Sequence, residues 1–269
     1  MHPELFTIGG FTVHTYGFMI MCGALAGYFY MSHVAKKELN IPTEKIQNLA
    51  IMIIVSAFVG GKFFFYLEDP DYYFSNPSNM VKNFRQGFVF YGSLLFAIPI
   101  AIWYFRKEKW PTWAFLDRLA ITALIIHAFG RMGCFFAGCC YGKPTDSFIG
   151  ITFSDPESQA EPLHTALHPT QLYEATFLIL LLIFLLMLKR HKRFEGQLFF
   201  IYVIVYAVGR SIIEIFRGDL RRGFVIEDIL SHSQFISLIL IGITVWAYLR
   251  FRRKAFIKEK IRRRKKRDG

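Results

Sequence analysis

An ionised side chain at the centre of a bilayer costs at least ~2.5–3.5 kcal/mol on insertion scales, so it persists only beside a partner or a wet cavity. Arg131 and Arg210 nevertheless stand inside apolar runs, with His127 one turn before the first and Glu214 one turn after the second. Lys62, His168, Glu174 and Arg217 are the other ionisable residues in or beside such runs that could join them. Spacing accounts for one of the arginines, because Arg210 and Glu214 are an i,i+4 pair that can neutralise each other locally. Arg131 has no local partner of that kind. Lys62 and Arg217, near run ends, can snorkel to an interface. Together these cations call for an anion, and arginine's planar fork suits a phosphate. The stretch GRMGCFFAGCCYG around Arg131 adds Gly130, Gly133, Gly138 and Gly142, which let a second helix or a headgroup approach the backbone. Its Cys134, Cys139 and Cys140 allow a thiol-disulfide reading, though C-x-x-C is lacking and adjacent cysteines pair only with strain. Three cysteines with His127 could ligate zinc, but without a C-x-x-C knuckle the expectation is no metal.

The chain that must position these groups is 269 residues long, 54% hydrophobic and 17% aromatic, with a mean hydropathy of +0.33. Such a composition excludes an ordinary soluble domain and indicates an integral membrane protein. The net charge of +12 does not signal nucleic acid: from Arg250 onward twelve Lys/Arg face only Glu259 and Asp268, a local net of +10. No nucleic-acid partner is expected. Seven apolar segments approach the ~20 residues of a span: about 13–34, 46–67, 88–105, 113–136, 172–188, 197–216 and 234–249. Basic residues follow the first, third, fifth and seventh, whereas Glu68, Asp69 and Asp71 follow the second and an acid-tinged stretch follows the fourth. By the positive-inside rule the N-terminus is outside (periplasmic) and the C-terminus cytoplasmic. The expectation is therefore an all-α membrane protein of seven transmembrane helices, with a small periplasmic loop region after helix 4. Residues 1–251 form the membrane domain and 252–269 a basic tail. On this topology Lys62, Arg131, His168, Glu174 and Arg217 fall in the outer half and Arg210 deeper. No cleavable signal peptide is expected, because no basic n-region precedes the first apolar run.

Several of these stretches, in order, resemble the bacterial prolipoprotein diacylglyceryl transferases: TYG (15–17), VGGKFF (59–64), FYGS (90–93), GRMGCFFAGCCYG (130–142), LHPTQLYEA (167–175) and YAVGRSIIEIFRGD (206–219). The resemblance implies an inner-membrane, multi-pass enzyme. It would move the diacylglyceryl group of phosphatidylglycerol to the lipobox cysteine of a preprolipoprotein, with no cofactor, its partners being those two substrates and membrane lipids. It implies Arg131 and Arg210 as essential arginines, Tyr16 and Tyr206 as functional tyrosines, and a base at Tyr91, His127 or His168. Lys62, Gly92, Gly130, Gly133, Cys134, Gly142, Gln171, Glu174, Glu214 and Arg217 are the further substrate-binding candidates. Tyr91 occupies the position where similar proteins carry a histidine, Lys62 one where they carry arginine, and Cys134 and Cys139 those of an asparagine and a glutamate. A membrane thiol-disulfide oxidoreductase and a non-catalytic lipid-binding homologue are the alternatives.

Overall fold

The apolar runs fold as long helices, because in hydrocarbon a helix satisfies its own backbone polar groups. The computed structural model describes residues 3–9, 11–84, 87–218, 223–226 and 229–267. Along the chain these form β1 (Glu4–Ile8), β2 (Phe11–His14), α1 (Thr15–Leu39), α2 (Thr43–Tyr66), α3 (Pro70–Phe74), α4 (Ser78–Lys82), α5 (Phe90–Lys107) and α6 (Thr112–Ala137). Then come β3 (Ile151–Thr152), β4 (Ala166–Leu167), α7 (Thr170–Lys189), α8 (Gln197–Glu214), β5 (Phe224–Ile226), β6 (Leu230–Ser231) and α9 (His232–Arg267). Among the described residues six helices are long and apolar enough to cross a membrane: α1, α2, α6, α7, α8 and residues 232–257 of α9. The chain is thus an all-α membrane protein, and its described residues include three two-stranded antiparallel ribbons that hydropathy did not reveal. Two segments depart from the expected spans. Residues 11–14 pair as a strand with β1, so the first helix starts at Thr15. In the third, α5 begins at Phe90 and is 18 residues long, and Pro99, Arg106 and Lys107 lower its hydropathy below that of the other six. Asp219, Asp268 and Gly269 lie outside the described residues.

The fold divides into two units, residues 1–31 with 113–269, and residues 32–112. In the first, Ile121, Leu124 and Ala128 of α6 meet Leu178, Leu181 and Leu185 of α7 and Leu198 of α8 in a buried cluster. The three-and-four spacing on α6 and α7 is one helical stripe each. Polar chemistry then sets the register of α8. Asp117 of α6, fully buried, accepts from the backbone N–H groups of Gly196 (3.0 Å), Leu198 (2.9 Å) and Phe199 (3.1 Å). A carboxylate there satisfies orphan donors at the helix start and complements its dipole. Lys192 Nζ reaches Asp117 at 3.3 Å and Glu195 at 2.5 Å, and Arg118 Nη1 reaches Glu195 at 3.1 Å. Burial pushes the Glu195 carboxyl up, but Lys192 and Arg118 outweigh it and hold the group below its ordinary range.

That cap has a geometric consequence for the arginines. Counted from it, Arg131 on α6 and Arg210 on α8 are each ~20 Å along helices starting from the same end, at 1.5 Å per residue. The two arginines therefore stand at matching positions along their helices, where the sequence reading set Arg210 deeper.

In the second unit α2 packs on α5 through glycine. A Cβ at Gly60 would come 2.4 Å from the Gly92 carbonyl oxygen, and one at Gly92 2.6 Å from that of Gly60. Only bare backbones approach so closely.

Candidate active site

Glu174, near the start of α7 and 2% exposed, organises the polar groups of the first unit. Its Oε2 lies 3.0 Å from Arg131 Nε, and its Oε1 accepts from Tyr206 Oη at 3.2 Å and lies 3.5 Å from His127 Nε2. Arg131, without a partner on its own helix, is thus neutralised across the bundle. The contact uses the Nε edge, and among the described residues Glu174 is the one ion-pair partner found for Arg131. The outer fork of the guanidinium is left for something else. Arg210 makes the i,i+4 pair expected from spacing, Nη1 to Glu214 Oε2 at 2.5 Å. It is also an electrostatic neighbour of His127 and Tyr206, so both arginines border one cluster. The His127 and Tyr206 rings lie 5.3 Å apart. The two arginine side chains keep 15% exposure each, against 2% and 4% for their carboxylate partners. Two pinned cations flanked by buried carboxylates can accept a phosphate without leaving an uncompensated charge when it departs.

Around this cluster the end of α6 is folded back sharply. Gly138 and Cys140 adopt left-handed backbone, φ +77° and +61°. Gln171 Nε2 then donates to the Cys139 carbonyl (2.8 Å) and Thr170 Oγ1 to that of Cys140 (2.6 Å). Gly142 N donates to the His168 carbonyl at 2.9 Å, and Gly142 bridges to Arg217; a Cβ there would meet His168 O at 2.6 Å and Phe216 O at 2.7 Å. Gly142 is therefore a backbone crossing point. Gly133 serves α1, since a Cβ there would sit 3.2 Å from Tyr16 and Met19. A Cβ at Gly130 would meet nothing within 4 Å. His168 is engaged through Nδ1 with Tyr173 Oη at 3.0 Å and flanked by Phe216. Tyr16, 42% exposed, is an electrostatic neighbour of Arg131 and of all three cysteines. It also lines a cavity of about 570 Å³ with His14, Cys139 and Glu157.

Lys62, Tyr91 and Gly92 belong to the second unit. Lys62 is buried, donates to the Gly87 carbonyl at 3.0 Å and lies over the rings of Phe65 and Phe84, so it does not snorkel freely. Tyr91 is 72% exposed at the start of α5.

Residues 3–250 match the family model described as prolipoprotein diacylglyceryl transferase. The chain belongs to that family. Its relatives include the phosphatidylglycerol–prolipoprotein diacylglyceryl transferase of Clostridium tetani, 40% identical over 94% of this chain and 100% of the relative. A second such enzyme of Clostridium perfringens is 35% identical (90% and 93% coverage), and that of Rickettsia canadensis 32% (88% and 92%). Within this diacylglyceryl transferase fold two features escaped sequence reasoning. One is the Glu174 hub, since residues that meet across helices leave no periodic signal. The other is the cavity, whose His14 and Glu157 sit in a strand and a loop of unremarkable composition.

Proposed function

We propose that the chain transfers the diacylglyceryl group of phosphatidylglycerol to the lipobox cysteine of a preprolipoprotein, forming a thioether and releasing glycerol phosphate. The observation that carries the reading is Arg131, whose Nε edge meets the buried Glu174 and whose fork has no ion-pair partner among the described residues, in a chain of this family. Arg131 grips the phosphodiester bidentately and Arg210 supplies the second cation. As the carbon–oxygen bond breaks, charge grows on the leaving phosphate, and fixed cations stabilise it more than the ground state. Glu174 positions Arg131, and Tyr206 and His127 position Glu174. Gly130, with space at its Cα, lies against the lipid; Gly133 and Gly142 maintain the backbone approaches that shape the site. Tyr16, Gln171, Cys134, Glu214 and Arg217 line or brace it, and Lys62 and Gly92 are the substrate-binding candidates of the second unit. The acceptor thiol must lose its proton before it attacks; of the base candidates, His127 and His168 share the first unit with the arginines and Tyr91 belongs to the second.

In this reading α5 is a seventh span, which puts the N-terminus and the α6–α7 connection outside and the C-terminus in the cytoplasm of a bacterial inner membrane. Residues 1–251 form the transferase domain, and 252–269 a tail whose charge suits the anionic inner leaflet. The test is reconstitution in phosphatidylglycerol vesicles with a lipobox peptide, followed by mass spectrometry. A diacylglyceryl thioether on the peptide cysteine is expected. Unmodified peptide, under conditions where a relative works, refutes the proposal.

A further inference from the structure

The fold brings together three thiols whose sequence spacing argued against a metal. Cys134, Cys139 and Cys140 are all free, and their Sγ atoms lie within 4.8 Å of one another. The cause is local. Cys134 is on the last turns of α6, and the left-handed residues Gly138 and Cys140 turn the next two cysteines back over it. The hydrogen bonds from Gln171 and Thr170, both nearly fully buried, then fix the carbonyls of Cys139 and Cys140. Strained backbone held from a second helix is the mark of a position the surroundings over-determine. Zinc–sulfur bonds of ~2.3 Å in a tetrahedron need sulfurs ~3.8 Å apart, so closing the set takes about an ångström of side-chain rotation. Charge also suits: a divalent ion on three thiolates carries one negative charge, and Arg131 and Arg217 are electrostatic neighbours of Cys140.

We propose that Cys134, Cys139 and Cys140 form a three-thiolate site for one d10 divalent cation of the zinc type, with its fourth position open toward the cavity that Cys139 lines. Three protein ligands and one open position are the pattern of a catalytic zinc site, whereas a structural one is closed by four. Resting on the transferase reading, the ligand that fills the opening is the thiol of the acceptor. It binds as thiolate and its proton leaves to water in the cavity. The sulfur lone pair attacks the glyceryl carbon, the carbon–sulfur bond forms, and the carbon–oxygen bond breaks with its electron pair passing to the phosphate oxygen held at Arg131. The metal changes neither oxidation state nor its three protein ligands. This chemistry makes an exposed tyrosine at position 91 tolerable, since no histidine has to take the thiol proton. A free thiol of pKa ~8.5 is ~3% thiolate at pH 7, so full ionisation raises the reactive fraction by up to about thirtyfold.

The experiment uses the full chain in detergent, reduced, stripped with a chelator and titrated with cobalt(II). Thiolate-to-metal charge-transfer absorption saturating at one ion per chain, and displaced by zinc, is expected. Cys134→Ser, Cys139→Ser and Cys140→Ser each weaken binding by roughly tenfold or more, whereas Cys22→Ser, in α1, leaves it unchanged. Absence of the band in folded, reduced parent protein overturns the site, as does a band that survives the triple serine variant. Turnover of phosphatidylglycerol and a lipobox peptide by stripped protein should fall roughly tenfold to thirtyfold and return with zinc. Equal rates in stripped and loaded protein overturn the activating role. No product from either form refutes the transferase reading instead, whatever the cobalt band shows.

Discussion

Replacing Arg131 by lysine separates the two things this arginine does. Its Nε edge meets Glu174 Oε2 at 3.0 Å, and its fork is the part assigned to the phosphate. A lysine ammonium is a point charge and cannot face both ways. Glu174 is 2% exposed, so leaving it short of its cation is costly, and the ammonium is drawn to the carboxylate. Arg131→Lys should therefore keep the fold and lose the phosphate contact. By analogy with removal of an oxyanion donor this costs ~2.7–4 kcal/mol, roughly a hundredfold to a thousandfold in kcat. Arg131→Ala loses the same rate and also strands the carboxylate, for which breaking a buried pair predicts ~3–5 kcal/mol of stability, softened here because Tyr206 and His127 remain. Adding Glu174→Gln to Arg131→Ala should return much of that stability and none of the rate. The assay is single-turnover transfer in detergent with saturating phosphatidylglycerol, each variant first checked by thermal unfolding. Arg131→Lys turning over within about threefold of the parent, under ~0.7 kcal/mol, would refute the argument, and so would a rate lost only in step with stability.

Glycine substitutions should divide by location: Gly92→Ala drives a methyl to 2.6 Å from the Gly60 carbonyl and should lower the thermal midpoint by an amount worth ~1–3 kcal/mol. Gly130→Ala meets no atom, should fold at least as well, and should raise KM for the lipid; an unchanged KM denies contact between Gly130 and the headgroup. Asp117→Ala strands three backbone donors at the start of α8 and should cost ~2 kcal/mol or more with a loss of kcat as Arg210 shifts, read by unfolding and turnover together. Removing residues 258–269 should leave transfer in detergent unchanged, since the tail is assigned to the opposite face from the site; a truncated protein that folds but fails to turn over would contradict the topology.

Hydropathy is a property of consecutive residues, and the sequence alone determined what depends on consecutive residues. The long apolar helices were legible to within a few positions at most ends, as was the i,i+4 pairing of Arg210 with Glu214. So was the confinement of the basic charge to the last twenty residues. The third segment falls short of the other six for the same reason, because Pro99 and the flanking charges lower a hydropathy window whether or not the helix forms. Tertiary structure decided what depends on helix rotation and axial offset. Arg131 could have faced any neighbour, and it is the shared apolar stripe of α6 and α7 that turns Glu174 toward it. The matching axial positions of the two arginines follow from Asp117 capping a helix that starts about eighty residues later in the chain, a coupling without a local signature. The three cysteines were visible as letters, but their convergence depends on two left-handed residues and two hydrogen bonds from α7, which spacing alone does not contain.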